Sequence, residues 1–214
     1  IAGNFNKPGR ETDSNSPHVA YIAQWHADRL RLGTPKLDNP PQEQQMTIKE
    51  GWRGRFYEDF EVGDEYRHGL GRTLTQNDNI WFTLLTQNTA PLHFDAHYAA
   101  QTEFGRPLIN SCLTLALVTG QTVSDVSQNV MANLGWDEVR LPNPVFEGDT
   151  LYSRSTVLDR RESRSRTNVG VVTVRTEGYN QSGVIVCTFK RTVMVYKRDG
   201  APRTAPPLPV DNRP

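Results

Sequence analysis

The sequence predicts an α+β domain in which one antiparallel β-sheet wraps around a single central helix. Three observations indicate this arrangement. The most apolar stretch of the chain, 109–127, has apolar residues at helical spacing, four strand-like segments follow it with no further helix, and one strand-like segment lies well before it. A helix that is apolar nearly all round is expected to be buried, so the sheet is expected to enclose it.

Length, charge and cysteine content restrict the class of protein. The chain has 214 residues, enough for one sizeable core, and its 24 Lys and Arg balance its 24 Asp and Glu. A balanced charge does not attract polyanions, so nucleic acid is not an expected partner. Cys112 and Cys187 lie in apolar segments, which is typical of buried thiols in a reducing compartment. Since no apolar run of about eighteen residues and no leader-like start occurs, we expect a cytoplasmic protein outside the membrane.

Composition divides the chain into three parts. Residues 1–50 are polar and are expected to form an extension with one helix between Pro17 and Gly33. Residues 51–199 are expected to form the folded domain. The tail, 200–214, holds five prolines in fifteen residues and is expected to be coil-like because proline lacks a backbone donor.

Turn and cap signals order the elements at the start of the domain. The aromatic-rich segment 55–68 contains a Val-Gly-Asp turn and predicts a first strand or strand pair. Asn77 or Asp78 is the expected cap of a helix over 79–87, because a short acceptor side chain satisfies the free amides of the first turn. A second short helix is expected over 96–104, and Pro107 precedes the central helix.

Four strands are expected after the central helix. Their turn residues, Glu147-Gly148-Asp149, an Arg-rich loop and Gln181-Ser182-Gly183, suit hairpins. Alternation is visible in the last strand, which places Ile185, Cys187, Phe189, Val193 and Val195 on one face and Thr188, Lys190 and Thr192 on the other. The predicted strands are 134–142, 149–161, 169–180 and 184–197. This order of elements is that of the hotdog fold.

Three motifs stand in order within the domain: LTQNTAPLHFDAHYAA from Leu85 to Ala100, GRPLINSCLT from Gly105 to Thr114, and PVFEGDTL from Pro144 to Leu151. They resemble the signature, the entrance to the central helix and a strand entry of the MaoC-like, (R)-specific enoyl-CoA hydratase family. Their sequences are most similar to those of the branch that hydrates mesaconyl-CoA (2-methylfumaryl-CoA), whose members are also described as β-methylmalyl-CoA dehydratases. Three ordered motifs are far more specific than one.

The resemblance implies roles for six residues. His93 matches the catalytic histidine, and Asn88 stands where the family has its catalytic Asp. Ser111 stands at the glycine whose backbone N–H donates to the thioester carbonyl at the start of the central helix. Asn110 and Arg106, in the second motif, are expected to contact the substrate. The acidic residue two positions after the histidine, Asp95, is expected to be structural.

These residue types suit the addition of water to a 2,3-enoyl thioester. Histidine exchanges protons near neutral pH, and an amide at a helix N-terminus is oriented before charge develops on the thioester oxygen. Ser111 keeps this N–H, provided its backbone angles are ones that serine adopts. Asn88 does not act as a general base, so proton transfer falls to His93 while Asn88 holds a water. A substrate with its own carboxylate would be repelled by a second carboxylate, and asparagine removes that repulsion.

The predicted function is reversible hydration of a short, branched, dicarboxylic enoyl-CoA of the mesaconyl-CoA type. The same fold hosts thioesterases, and fold alone does not separate the two activities. A non-catalytic thioester-binding protein is the third alternative, favoured by Asn88 and by Ala90, which replaces an asparagine of the family pattern. A purely structural domain leaves the clustered motifs unexplained. The retained Pro-Leu-His step favours hydration.

The resemblance also implies partners and cofactors. Coenzyme A is expected only as the carrier of the acyl group, with no metal and no redox cofactor. His97 lies four residues after His93, but no third metal ligand is evident, which leaves it a surface or packing role. Residues 160–166 suit a solvated hairpin or contacts with the phosphates of coenzyme A. A homodimer or dimer of dimers is implied, with the acyl channel between two units.

Overall fold

The structure is a computed structural model that describes residues 49, 51–202, 207 and 210. The α-helices are α1 (Gln76–Leu85), α2 (Ala96–Ala99) and α3 (Ser111–Gln121). The helix predicted between Pro17 and Gly33, and most of the predicted tail, lie outside the described residues. The strands are β1 (Glu65–Arg67), β2 (Arg72–Thr73), β3 (Val130–Arg140), β4 (Thr150–Glu162), β5 (Val169–Tyr179) and β6 (Ile185–Tyr196).

All strand pairs are antiparallel, in the order β1-β4-β5-β6-β3, and β2 also pairs with β4. The predicted α+β arrangement with four long consecutive strands after the central helix is confirmed. One connection differs from the prediction, because β3 pairs with β6 and not with β4. The Glu147-Gly148-Asp149 turn therefore leads into β4 without closing a hairpin.

Helix α3 packs across the sheet and joins one of two hydrophobic clusters. Gly178 of β5 allows a close approach, since a Cβ there would lie 2.5 Å from a methyl group of Val118. Leu113, Leu115 and Leu117 pack beside the buried residues of this cluster, which are Leu74, Ile109, Val118, Val145, Leu151, Val186, Cys187 and Phe189. The second cluster lies beyond the helix end and includes Phe60, Val126 and Val193.

The prediction that α3 is buried all round is wrong for this chain. Thr114 and Val118 are buried, whereas Cys112, Ala116 and Gly120 are exposed. A single sheet covers only the side of a helix that faces it, so the opposite side stays open. Cys112 is exposed for this reason, contrary to its expected burial, while Cys187 is buried in the sheet as predicted.

The alternation predicted for β6 is confirmed from Cys187 to Val195. Before Cys187 a register shift interrupts it, so that Val186 is fully buried and Ile185 only partly buried. Arg191 shares the buried face and is only 7% exposed. Its guanidinium donates to Asn133 Oδ1 over 2.7 Å and to Thr122 Oγ1 over 3.2 Å. Burial lowers the pKa of Arg191, and Thr122 is the C-terminal cap of α3, where the negative end of the helix dipole favours a cation.

Helix α1 begins with a capping box, and the predicted N-cap is wrong. Thr75, not Asn77 or Asp78, is the N-cap, and its side chain accepts from the backbone N–H of Asp78. The Asp78 carboxylate accepts in return from the Thr75 N–H over 2.9 Å. Helix α2 is also shorter than expected, since it ends at Ala99.

Candidate active site

His93 ends a 3-10 turn, Pro91–His93, between α1 and α2. Its ring Nδ1 lies 2.8 Å from the carbonyl oxygen of Leu108. Because a carbonyl only accepts hydrogen bonds, Nδ1 carries the proton and Nε2 presents a lone pair when the ring is neutral. Nε2 has no hydrogen-bond partner within the part of the chain that the structure describes.

Asp95 has the structural role expected for it, because it caps α2 and accepts from the Tyr98 N–H over 2.9 Å.

Ser111 is the first residue of α3, and Asn110 is its N-cap. The Asn110 side-chain oxygen accepts from the Cys112 N–H over 2.9 Å, and the Asn110 carbonyl accepts from the Thr114 N–H over 3.1 Å. Among the described residues, the Ser111 N–H has no acceptor. Ser111 is helical and has no positive φ, so serine fits the position that the family pattern gives to glycine. The helix therefore presents a free amide at its positive end.

Asn79 connects these two segments, and no motif singles it out. It lies on the inner face of α1 and is 1% exposed. Its side-chain nitrogen donates to the carbonyl of His93 over 2.7 Å and to that of Leu108 over 3.0 Å. Its side-chain oxygen accepts from the Asn110 N–H over 2.8 Å. One buried amide thus contacts both segments that carry the predicted chemistry.

Asn88 begins the loop that leads to His93. Its side-chain oxygen accepts from the Ala90 N–H over 2.9 Å, and its own N–H donates to the Thr83 carbonyl over 3.0 Å. Its side-chain nitrogen has no partner in the described parts of the chain, so two donor hydrogens remain available. The residue before it, Gln87, has a φ of 57°, the left-handed conformation that lets the chain leave α1.

A cavity of about 230 Å³ opens beside the start of α3. Leu108, Ser111 and Thr114 line one side of it, and Leu141 and Pro144 lie among its other lining residues. His93 is not among the residues that line the cavity, but its Nδ1 bonds to the carbonyl of Leu108, which is one of them.

The two residues expected to contact the substrate differ in exposure. Arg106 is exposed, and its guanidinium lies 4.0 Å from the centre of the Phe146 ring, near the Phe104 ring that lines the cavity. Asn110 is buried, and its side-chain nitrogen donates to Thr83 Oγ1 over 3.2 Å. With its oxygen used by the Cys112 N–H, the Asn110 side chain is directed into the protein.

His97 is exposed on α2, as expected of a surface residue. Across the described residues, no three His, Cys, Asp or Glu side chains are grouped so that they hold a metal ion. The Arg-rich segment, 160–166, forms the end of β4 and the turn of the predicted hairpin with β5, but Arg160 is not simply solvated. Its guanidinium lies 4.4 Å from the centre of the Tyr57 ring.

A Ser-His-Asp arrangement lies elsewhere in the fold. His68 Nδ1 is 2.9 Å from Asp125 Oδ2, and His68 Nε2 is 2.9 Å from Ser155 Oγ. Burial alone would raise the pKa of Asp125, but hydrogen bonds from His68 and Arg55 lower it below its usual value. Ser155 is fully buried and also bonds to Thr176 Oγ1, so it is not accessible as a nucleophile. The arrangement stabilises the sheet and does not form a hydrolase site.

A sequence profile of the family described as mesaconyl-CoA hydratase matches residues 44–205. The chain belongs to the mesaconyl-CoA hydratase family. The match includes the three motifs and every residue to which a role in the site is assigned above.

Two curated relatives carry related names. The mesaconyl-CoA hydratase of Cereibacter sphaeroides is 38% identical over 157 residues, which cover 73% of this chain and 46% of the relative. The β-methylmalyl-CoA dehydratase of Chloroflexus aurantiacus is 37% identical and covers 72% of this chain and 44% of the relative. This member of the mesaconyl-CoA hydratase family thus spans less than half the length of either relative.

Solved structures share its fold. A Mycobacterium tuberculosis protein described as having a double hotdog fold matches with a TM-score of 0.63 and 25% identity, over 72% of this chain and 47% of that one. The predicted hotdog fold is confirmed. Within the residues described for this family member, no helix is both long and apolar enough to span a bilayer.

Proposed function

We propose that this protein adds water reversibly to the 2,3-double bond of mesaconyl-CoA, giving β-methylmalyl-CoA. The oxygen of water bonds to C3, its proton passes to Nε2 of His93, and the π electrons move toward the thioester oxygen. The same proton then returns from His93 to C2 as the thioester carbonyl re-forms. The sum is one water added across the double bond, with no change of redox state and with coenzyme A only as the carrier.

One observation supports this chemistry above the others. The Leu108 carbonyl orients the His93 ring by accepting from Nδ1, and Leu108 lies three residues before the free N–H of Ser111. A base with a free lone pair and an amide donor at a helix N-terminus are the two groups that the reaction needs. Each is set in place before the substrate binds.

Asn88 suits a dicarboxylic substrate. The distal carboxylate of mesaconyl-CoA is attached to C3, where water adds, so a second carboxylate at this point would repel it. The Asn88 side-chain nitrogen is a donor without a partner among the described residues, whereas its oxygen is held by the Ala90 N–H. We assign this nitrogen to the attacking water or to the substrate carboxylate.

The alternatives are less well supported. A thioesterase needs a nucleophile or a water directed at the thioester carbon, and the serine of the Ser-His-Asp arrangement, Ser155, is fully buried. A non-catalytic thioester-binding protein explains the loss of the family's Asp at Asn88, but it does not explain a histidine held in one tautomer. The names of the curated relatives also favour hydration and dehydration.

A second copy of the chain is the partner that the surface favours. The outer face of α3 is open, and β3 ends the described sheet with Leu134 and Trp136 exposed. The curated relatives are more than twice as long as the matched region, so they have room for a second unit. We therefore expect a homodimer or a dimer of dimers whose second unit completes the acyl channel.

We also propose a cytoplasmic location. Both cysteines are free thiols, which suits a reducing compartment.

The experiment that tests this function is a substrate panel. Purified protein is mixed in turn with mesaconyl-CoA, crotonyl-CoA and itaconyl-CoA, and the loss of enoyl-thioester absorbance is followed. Fast loss with mesaconyl-CoA, with β-methylmalyl-CoA identified by mass spectrometry, is the expected result. Release of coenzyme A as a free thiol would indicate a thioesterase. Binding without turnover of any of the three would indicate a non-catalytic protein.

A further inference from the structure

We infer that Asn79 and Thr83 are positioning residues that fix the distance between His93 and the Ser111 amide. This inference rests on the proposed function, since it concerns how the same site is assembled. Asn79 and Thr83 lie four residues apart on α1 and therefore on one helix face. That face is polar and fully buried, with the two side chains 1% and 0% exposed.

The side-chain amide of Asn79 makes three hydrogen bonds. Its nitrogen donates to the carbonyls of His93 and Leu108, and its oxygen accepts from the Asn110 N–H. The Leu108 carbonyl also accepts from His93 Nδ1, so Asn79 holds both the main chain of the histidine and the group that orients its ring. A shift of this amide moves His93 and the start of α3 relative to each other.

Thr83 makes the second connection one turn later. Its hydroxyl oxygen accepts from the Asn110 side-chain nitrogen over 3.2 Å, and its carbonyl accepts from the Asn88 N–H over 3.0 Å. Asn110 is the cap that precedes Ser111, so Thr83 reaches the free amide through Asn110. Helix α1 therefore contacts the three segments that carry His93, Asn88 and Ser111.

This arrangement predicts a loss of kcat with little change in KM. The reacting atoms, not the bulk of coenzyme A, depend on the spacing that α1 sets, and a displacement of about 1 Å costs up to about 10²-fold in rate. Asn79→Asp keeps the acceptor for the Asn110 N–H and removes both donors, so we expect about a 10²-fold loss of kcat. Thr83→Val removes only the hydroxyl, and we expect a smaller loss.

Thr83→Ser is the matched control because it keeps the hydroxyl and removes a methyl group. Both Thr83 variants are expected to lower the melting temperature, but only Thr83→Val is expected to lower kcat on mesaconyl-CoA. If kcat falls in both variants in proportion to melting temperature, or in neither, α1 has only a structural role and the inference is overturned.

The ring nitrogens of His93 give a readout that does not require turnover. Nitrogen NMR at about pH 8.5, where imidazole groups are ordinarily neutral, is expected to show His93 protonated on Nδ1 in the wild type and a mixture of tautomers in Asn79→Asp. An unchanged tautomer in a folded Asn79→Asp variant overturns the inference. If the wild type hydrates none of the three thioesters, the proposed function fails, and the NMR comparison still decides whether Asn79 positions His93.

Discussion

The Nδ1 atom of His93 lies 2.8 Å from the carbonyl oxygen of Leu108, three residues before the first residue of α3. The bond ties the orientation of the proposed base to the segment that presents the Ser111 N–H. The proposed proton acceptor and the proposed donor to the thioester oxygen are therefore connected through the main chain, and each role has its own test.

The Ser111 amide can be removed without disturbing the helix. Proline is well tolerated as the first residue of a helix, and Asn110 before it has a φ of −57° and a ψ of 128°, which suit a residue that precedes proline. We expect Ser111→Pro to lower kcat on mesaconyl-CoA by about 10²–10³-fold, the usual cost of losing one oxyanion donor. Ser111→Ala, which keeps the N–H, is the control. Equal activity of the two variants would exclude a role for this amide.

Asn88→Asp tests the preference for a dicarboxylic substrate. A like charge about 4 Å away costs about 1 kcal/mol even in water, which is about fivefold in rate. We expect kcat/KM for mesaconyl-CoA to fall by at least this factor relative to crotonyl-CoA, which lacks the second carboxylate. Higher turnover of mesaconyl-CoA by the variant would show that Asn88 is not there to avoid repulsion.

Gln87→Gly is expected to stabilise the protein. Gln87 follows the cap of α1 with a φ of 57°, and its N–H donates to the Leu84 carbonyl while that of Asn88 donates to Thr83. This pattern of helix end usually has glycine at the left-handed position. We expect the free energy of unfolding in urea to rise by about 1 kcal/mol. Gln87→Ala, which keeps a Cβ, is expected to give no gain, and equal values for the two variants would contradict this account.

The two cysteines are expected to differ in reactivity toward iodoacetamide. Burial raises the pKa of Cys187 to about 11, whereas Cys112 is exposed beside Ser111. At pH 8 the native protein should take up one label, at Cys112, and a second only in denaturant, as followed by mass spectrometry. Mesaconyl-CoA should slow the labelling of Cys112. Labelling of Cys187 in the native protein, or no labelling of Cys112 in it, would contradict the structure.

Most of the fold could be predicted from the sequence, because strands and motifs are local patterns. The alternation in β6 from Cys187 onward and the turn residues after β5 are visible within a few residues, and both predictions are correct. Thr75 was missed as a cap because several residues near it have suitable side chains. The burial of α3 was overestimated because an apolar helix does not show which of its faces a single sheet covers.

The candidate site was predictable only where a motif marks it. His93, Asn88 and Ser111 stand in recognisable motifs, whereas Asn79 looks like a surface residue of a helix. Its partners lie 14 to 31 residues away in sequence, and no spacing pattern indicates them. Arg191 was missed for the same reason, since the acceptor on Thr122 is 69 residues away. Buried polar contacts of this kind depend on the tertiary fold.

The most direct test of the central claim is the rate of mesaconyl-CoA hydration by His93→Ala, with His97→Ala as the matched control. Both histidines lie in the same motif, but only His93 is bonded to Leu108, and His97 is exposed on α2. The account predicts that His93→Ala keeps the melting temperature within a few degrees and loses all measurable hydration, while His97→Ala keeps the wild-type rate. Hydration by His93→Ala at the wild-type rate would contradict it.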